Sequence, residues 1–201
     1  MNRINKPSAT FALLIAGALS IAACNAVAPA AEPPLAGASI GGDFALMASD
    51  GRTVRWDDFA GKYRVVYFGY AFCPDVCPTD MQRVAQGLKV LKASDPELAA
   101  KIQPIFISID PERDTQKVVG EFAAAFSPDI IGLTGTPDQI AATAKTFKVF
   151  YAKGAAVDGG GYLMDHSNIV YLFGPAGEPL ATLPVDQGGD AVAAELRKWV
   201  S

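Results

Sequence analysis

Residues 64–93, RVVYFGYAFCPDVCPTDMQRVAQGLKVLKA, place a strand, a two-cysteine loop and a helix in direct succession. The first seven residues are almost continuously apolar, which is typical of a strand buried on both faces of a sheet. Residues 78–93 then carry apolar side chains at helical spacing, namely Met81, Val84, Leu88 and Leu91. A buried strand that leads directly into a helix predicts an α/β domain.

The remaining chain continues this alternation on both sides of the stretch. Residues 43–48 and 52–54 flank Ser49-Asp50-Gly51, which predicts an N-terminal β-hairpin. Further strands are predicted over residues 102–109, 167–173 and 179–183, and helices over residues 115–126, 137–147 and 188–200. This order predicts a thioredoxin-like fold over residues 41–201, with a central mixed β-sheet flanked by helices.

The first 23 residues have the pattern of a targeting segment. Arg3 and Lys6 precede an apolar run over residues 9–23, which is shorter than the roughly 20 residues of a membrane span. The run ends in Ile21-Ala22-Ala23-Cys24, which resembles the lipobox of bacterial lipoproteins. We therefore predict a lipoprotein-type signal peptide over residues 1–23 and lipidation of Cys24. An ordinary signal peptide cut after Ala28 and an uncleaved anchor are the alternatives.

Each of these alternatives places the folded domain outside the cytoplasm. The lipoprotein interpretation predicts an exported protein, anchored to a membrane and facing the bacterial periplasm. Residues 24–40 are rich in Ala and Pro and predict a linker between anchor and domain. A net charge of −4 without a Lys/Arg cluster argues against binding to nucleic acid.

Cys73 and Cys77 follow the predicted central strand and stand at the predicted start of the helix. Free backbone N–H groups at a helix start favour the thiolate, the form that binds metals and attacks disulfides. The pair is therefore a candidate metal site or redox dithiol. A purely structural disulfide would close too short a loop to stabilise much, compared with the roughly 3 kcal/mol of a fifteen-residue loop.

His166 is the only histidine of the chain. Two thiolates and one imidazole would suit a soft ion such as Cu(I), whereas structural zinc takes four protein ligands. A zinc ion with water in the fourth place stays an alternative. A lone histidine is more often an ordinary surface or core residue, so position alone does not assign His166 to a site.

Three stretches in this order and spacing resemble the Sco/SenC/PrrC family of copper-binding proteins: FGYAFCPDVCP at residues 68–78, ISIDPERDT at residues 107–115 and MDHS at residues 164–167. The resemblance covers roughly residues 40–200. It implies a thioredoxin-like fold and one copper ion per chain, as Cu(I), Cu(II) or both, bound by Cys73, Cys77 and His166. Ala71 departs from the family, where threonine is common at this position.

The resemblance further implies a copper metallochaperone rather than an enzyme. Its partners would be the CuA-bearing subunit of cytochrome c oxidase, a second periplasmic copper chaperone and, through the lipid anchor, a membrane. The alternative is a thiol–disulfide oxidoreductase that uses Cys73 and Cys77 to reduce the CuA cysteines or other exported proteins. Two observations argue against it. Three residues separate the cysteines, whereas two separate those of thioredoxins, and residues 161–170 contain no proline that could correspond to the substrate-binding proline typical of thioredoxins.

Four further residues near these motifs are candidates for supporting roles. Asp165 could orient His166, and Asp75 could tune the charge of the site without being a ligand. Glu112 and Arg113 could dock a partner, although a strand end at Pro111 and a helix cap at Asp114 or Thr115 explain that stretch more simply. The aromatic residues Tyr67, Phe68, Tyr70 and Phe72 are expected to form core and site wall.

Overall fold

The strand that precedes the cysteines lies inside a seven-stranded mixed sheet in the computed structural model, which describes residues 1–3, 31–156 and 161–201. The strands are β1 (Ala45–Ala48), β2 (Thr53–Arg55), β3 (Tyr63–Gly69), β4 (Ile102–Ser108), β5 (Ile131–Thr134), β6 (Tyr151–Ala156), β7 (Tyr162–His166), β8 (Val170–Phe173) and β9 (Pro179–Thr182). The sheet order is β2-β1-β5-β4-β3-β8-β9, and β6 and β7 form a separate two-stranded ribbon. The predicted mixed sheet and N-terminal hairpin are confirmed.

All seven residues of β3 are buried, as the apolar run predicts. The strand pairs in parallel with β4 and antiparallel with β8, so that both of its edges are occupied. Arg64 is the one charged residue in this run. Its guanidinium lies over the ring of Trp56, and its Nη1 donates to the carbonyl oxygen of Gly174 at 2.9 Å. These contacts compensate for burying a charge inside the sheet.

In the part of the chain that the structure describes, five α-helices accompany the sheet: α1 (Val76–Ser94), α2 (Pro96–Ala100), α3 (Gln116–Phe126), α4 (Pro137–Thr146) and α5 (Gly189–Trp199). Thr115 and Thr136 cap α3 and α4, because their hydroxyls accept the N–H of Val118 and Gln139. Helix α1 begins two residues before the predicted start at Pro78. Pro78 then lies in the first helical turn, where a proline is tolerated because its missing N–H is not needed. Since the helix begins at Val76, Cys77 lies within it.

The ribbon of β6 and β7 and the strand β5 were not predicted. The ribbon is only partly buried, so its sequence lacks the continuous or alternating apolar pattern of the other strands. His166 ends β7, and the strand predicted from residue 167 begins only at Val170. The N–H of Ser167 instead donates to the carbonyl oxygen of Phe150 at 2.9 Å, which closes the open end of the ribbon.

The chain divides into two units, Met1–Ala31 and Glu32–Ser201. Most of the predicted signal peptide, together with Cys24, lies in residues 4–30, outside the described residues. In the described part of the predicted linker, Leu35 and Ile40 pack against the core, and the N–H of Leu35 donates to Leu180. The domain boundary at residue 41 stays a prediction. Within the described ranges, no helix is long and apolar enough to cross a membrane.

Candidate metal site

Cys73, Cys77 and His166 converge at the end of β3. Their two Sγ atoms and one imidazole nitrogen all lie within 4.8 Å of one another. Sγ of Cys77 lies 3.3 Å from Nε2 of His166. Three ligand atoms this close together are able to contact a single ion. Within residues 1–3, 31–156 and 161–201, no other group of three such side chains meets this condition.

The two cysteines occupy different environments. Cys73 lies in the loop after β3, where it is partly exposed, whereas Cys77 lies in the first turn of α1 and is fully buried. The backbone N–H of Cys77 points to Sγ of Cys73 at 3.4 Å. This contact links the loop cysteine to the first turn of α1.

The sulfur of Cys77 is buried and packs against β3 at Gly69. A Cβ atom placed on Gly69 would lie only 2.9 Å from this sulfur. Burial raises the pKa of the Cys77 thiol, because the enclosed site penalises the charged form. In the metal-free protein, burial therefore outweighs the helix-start effect at Cys77. A bound metal ion reverses this balance, since a coordinated thiol loses its proton.

His166 is oriented by its own neighbour along the chain. Its Nδ1 lies 3.0 Å from the carbonyl oxygen of Ser167. A carbonyl only accepts, so Nδ1 carries a hydrogen, and in the neutral ring Nε2 presents a lone pair towards the cysteines. The rings of Tyr67 and Tyr70 stand perpendicular to the imidazole, with centroids 6.3 and 5.8 Å away. They form the site wall that the sequence predicted.

The other predicted supporting residues lie elsewhere. Asp165 is exposed and makes no side-chain hydrogen bond to any described residue. The carbonyl oxygen of Ser167, and not Asp165, therefore contacts and orients the imidazole of His166. Asp75 is also exposed. Phe68 belongs to the core, and Phe72 is half exposed beside the cysteine loop. At Ala71, the position where the family commonly has threonine, the backbone N–H donates to Asp114 Oδ2 at 2.9 Å.

Sequence reasoning missed a buried carboxyl beneath the site. Asp80 follows Cys77 by three residues on the same face of α1, and its Oδ2 accepts the hydroxyl of Tyr67 at 3.2 Å. Burial raises the pKa of Asp80 above its ordinary value, and the Tyr67 hydrogen bond partly opposes this. The sequence feature that could have predicted this buried carboxyl is an acidic residue one turn after a cysteine, on the apolar face of a helix.

The donor set decides which metals fit the site. Two sulfurs and one imidazole nitrogen form a soft set of three, which suits Cu(I). Structural zinc would need a fourth protein ligand, and none stands with these three among the described residues. Both cysteines are free thiols, so no disulfide occupies the site. The arrangement is therefore able to bind copper or to act as a reduced dithiol.

A family model described as SCO1/SenC matches residues 32–201. The chain is 36% identical to the Arabidopsis thaliana protein named Protein SCO1 homolog 1, mitochondrial, over 179 residues, which are 87% of this chain and 52% of that protein. It is 37% identical to a SCO2-like protein of Rickettsia felis over 175 residues, with 83% of each covered. The chain spans about half the length of the first curated relatives it matches.

Solved structures show the same fold. The structure of Bradyrhizobium japonicum ScoI with copper bound superposes with a TM-score of 0.72 at 34% identity, and the match covers 80% of this chain and 99% of that one. Copper-bound ScoI of Arabidopsis thaliana gives a TM-score of 0.70 at 36% identity, over 80% and 99% of the two chains. The fold is therefore thioredoxin-like, as predicted.

Proposed function

Because the chain belongs to the SCO1/SenC family, we propose that it binds one copper ion through Cys73, Cys77 and His166 and delivers it during assembly of cytochrome c oxidase. The acceptor in this proposal is the CuA centre, and the partner is the oxidase subunit that carries it. The observation that carries the proposal is the convergence of two sulfurs and one imidazole nitrogen within 4.8 Å. Relatives with known structures contain bound copper.

The site also suits release of the ion. Cys73 and His166 are partly exposed, whereas Cys77 is buried. A three-ligand site leaves room for a ligand of the acceptor to bind before the donor ligands leave. Copper would then pass between proteins without becoming free, and another periplasmic copper chaperone would load the site beforehand.

The decisive experiment is competition titration of Cu(I) against the reduced protein and its His166→Ala variant. Loss of a direct ligand should weaken binding by more than the roughly 10–100-fold typical of losing a residue that only supports a ligand. Asp165→Ala is the matched control, because its exposed side chain contacts no ligand. Transfer to a purified CuA domain should fail with His166→Ala. Equal affinity of His166→Ala and parent protein would overturn the three-ligand site.

A thiol–disulfide oxidoreductase is the second candidate function. It is favoured by two free thiols of unequal exposure, a partly exposed Cys73 able to attack and a buried Cys77 able to resolve the mixed disulfide. This function needs no imidazole ligand. If His166→Ala still supported oxidase assembly while Cys73→Ser and Cys77→Ser did not, reduction of client cysteines would replace copper delivery as the function.

We further propose that Cys24 is lipidated and anchors the protein to a membrane on the periplasmic side. The support is the apolar run that ends in Ile21-Ala22-Ala23-Cys24. Mass spectrometry of the mature protein should find acylated Cys24 at its N-terminus, and Cys24→Ala should release the protein from the membrane fraction. A mature N-terminus at residue 29 would instead demonstrate an ordinary signal peptide.

A further inference from the structure

The ribbon of β6 and β7 carries His166 but does not belong to the seven-stranded sheet. An isolated two-stranded ribbon is at best marginally stable in water. The position of His166 relative to the cysteines therefore depends on contacts that attach the ribbon to the rest of the domain. One such attachment lies at Tyr162, the first residue of β7.

Arg113 and Asp110, from the loop between β4 and α3, bind Tyr162 at two points. Nη1 of Arg113 donates to the backbone carbonyl oxygen of Tyr162 at 2.8 Å. The hydroxyl of Tyr162 donates to Asp110 Oδ1 at 2.7 Å, and Nε of Arg113 donates to Asp110 Oδ2 at 2.5 Å. Both the backbone and the side chain of Tyr162 are thus held by one ion pair.

The same arginine also reaches the cysteine loop. Its Cζ lies 3.7 Å from the ring centroid of Tyr162 and 5.2 Å from that of Phe72, the residue before Cys73. It lies 5.6 Å from the ring centroid of Tyr70, which packs on His166. A single guanidinium therefore contacts the segments that carry Cys73 and His166. The side chain is 23% exposed, and the partner docking considered from the sequence stays a prediction.

The burial of this cluster distinguishes it from a surface ion pair. The side chain of Asp110 is 2% exposed, so water screens its attraction to Arg113 little. In contrast, Lys153 and Glu112 pair on the outer side of the ribbon with side chains 50% and 60% exposed. Exposed pairs of that kind contribute little to stability. The inner cluster is therefore the stronger attachment of Tyr162.

We propose that Arg113 is a positioning residue for the metal site: together with Asp110 it fixes Tyr162, and through strand β7 it sets the position of His166 relative to Cys73 and Cys77. This inference rests on the proposed function, because it concerns the ligand geometry of the same site. Arginine is required because its planar group donates two in-plane hydrogen bonds while stacking on an aromatic ring, which lysine does not reproduce.

The test uses Arg113→Lys in the reduced, metal-free protein. His166 is the only histidine, so its ring protons give an unambiguous NMR signal. We expect Arg113→Lys to weaken the nuclear Overhauser contacts from His166 to Tyr67 and Tyr70 and to lower copper affinity about 10–100-fold. Arg52→Lys, the same change in an exposed pair with Asp50, is the matched control and should leave both readouts unchanged. Unchanged contacts in Arg113→Lys would overturn the inference.

A double-mutant comparison separates positioning from general destabilisation. In the His166→Ala background, Arg113→Lys should cause no further loss of copper affinity. An equal loss in both backgrounds would show that Arg113 does not act through His166, and would overturn the inference. If His166→Ala itself had no effect, the proposed copper site would fail, and the NMR contacts alone would decide the positioning role. Should Arg113→Lys not fold, Tyr162→Phe removes the hydroxyl's short bond to Asp110 and its longer contact with Glu112, and serves the same test.

Discussion

Sγ of Cys77 lies 3.3 Å from Nε2 of His166, although the two residues are 89 positions apart in the chain. In the neutral imidazole with its Nδ1–H bonded to the Ser167 carbonyl, Nε2 accepts the hydrogen of the Cys77 thiol. Helix α1 holds the sulfur, and the end of β7 holds the ring. The metal-free protein therefore holds its ligands close together before an ion arrives, which reduces the ordering that binding requires.

The absence of a side chain at Gly69 leaves space for the Cys77 sulfur. A Cβ atom at this position would lie 2.9 Å from Sγ of Cys77 and 3.1 Å from the ring of Phe106. We expect Gly69→Ala to displace the sulfur, lower the free energy of unfolding by about 1–3 kcal/mol and weaken copper binding about tenfold, equivalent to 1.4 kcal/mol. Thermal unfolding and Cu(I) competition titration measure the two effects.

Gly132→Ala is the matched control for that variant. Gly132 lies in β5 against the backbone of Val119, so an added methyl group is also overpacked there. It should lower stability while leaving the copper affinity of the folded protein unchanged. If both glycine variants altered copper affinity equally, the effect would be global and not specific to the Cys77 sulfur.

Copper affinity should depend on pH through Cys77. Burial raises the pKa of this thiol, so near neutral pH it holds a proton that copper must displace. While the pH is below that pKa, displacing one proton makes the apparent affinity rise about tenfold for each unit by which the pH increases. Competition titrations at three pH values between 6 and 8 measure the slope, and Cys77→Ser should reduce it. An affinity independent of pH would contradict the buried, protonated thiol.

Folding stability should depend on pH through Asp114. Its carboxyl is fully buried, accepts the hydroxyl of Ser108 and the N–H of Ala71, and has a raised pKa chiefly because of burial. The folded state therefore binds this proton more tightly than the unfolded state. The stabilising contribution is full below the ordinary value of 3.8 and is lost as pH rises through the higher folded value.

Asp114→Asn removes this titration while keeping the shape of the side chain. The variant should gain stability relative to the parent as pH rises from about 4 towards neutrality, as measured by urea unfolding at several pH values. Asp129→Asn changes an exposed carboxylate paired with Lys92 and should stay within about 0.5 kcal/mol of the parent throughout. A constant difference between Asp114→Asn and parent would argue against a raised pKa.

The sequence predicted the elements whose patterns are local. The apolar run of β3 and the helical spacing of α1 define the cysteine loop without knowledge of the rest of the chain. The ribbon of β6 and β7 escaped prediction, because its sequences, YAKGAA and YLMDH, show neither a continuous apolar run nor a strict apolar–polar alternation. The same holds for the cluster of Asp110, Arg113 and Tyr162, whose members lie up to 52 positions apart and meet only in the folded domain.

The ligand residues also needed more than local pattern. Cys73 and Cys77 were identified by their spacing, but His166 was assigned through resemblance to a family. A single imidazole at a strand end carries no periodic signal, and its contact with Cys77 depends on the path of the chain through β4, β5 and the ribbon. Asp80 has no distinctive sequence signal, because acidic residues in helices are mostly solvent-exposed.

The separation of the ligands along the chain sets an order in time. A ribosome adds about 5–20 residues per second, so roughly 4–18 s of synthesis separate Cys77 from His166, which lie 89 positions apart. Throughout that interval both thiols exist and the imidazole does not. Disulfides form in oxidising compartments and not in the reducing cytoplasm. If an oxidant in such a compartment joined the two sulfurs before copper arrived, the protein would need a reductant before its first copper ion.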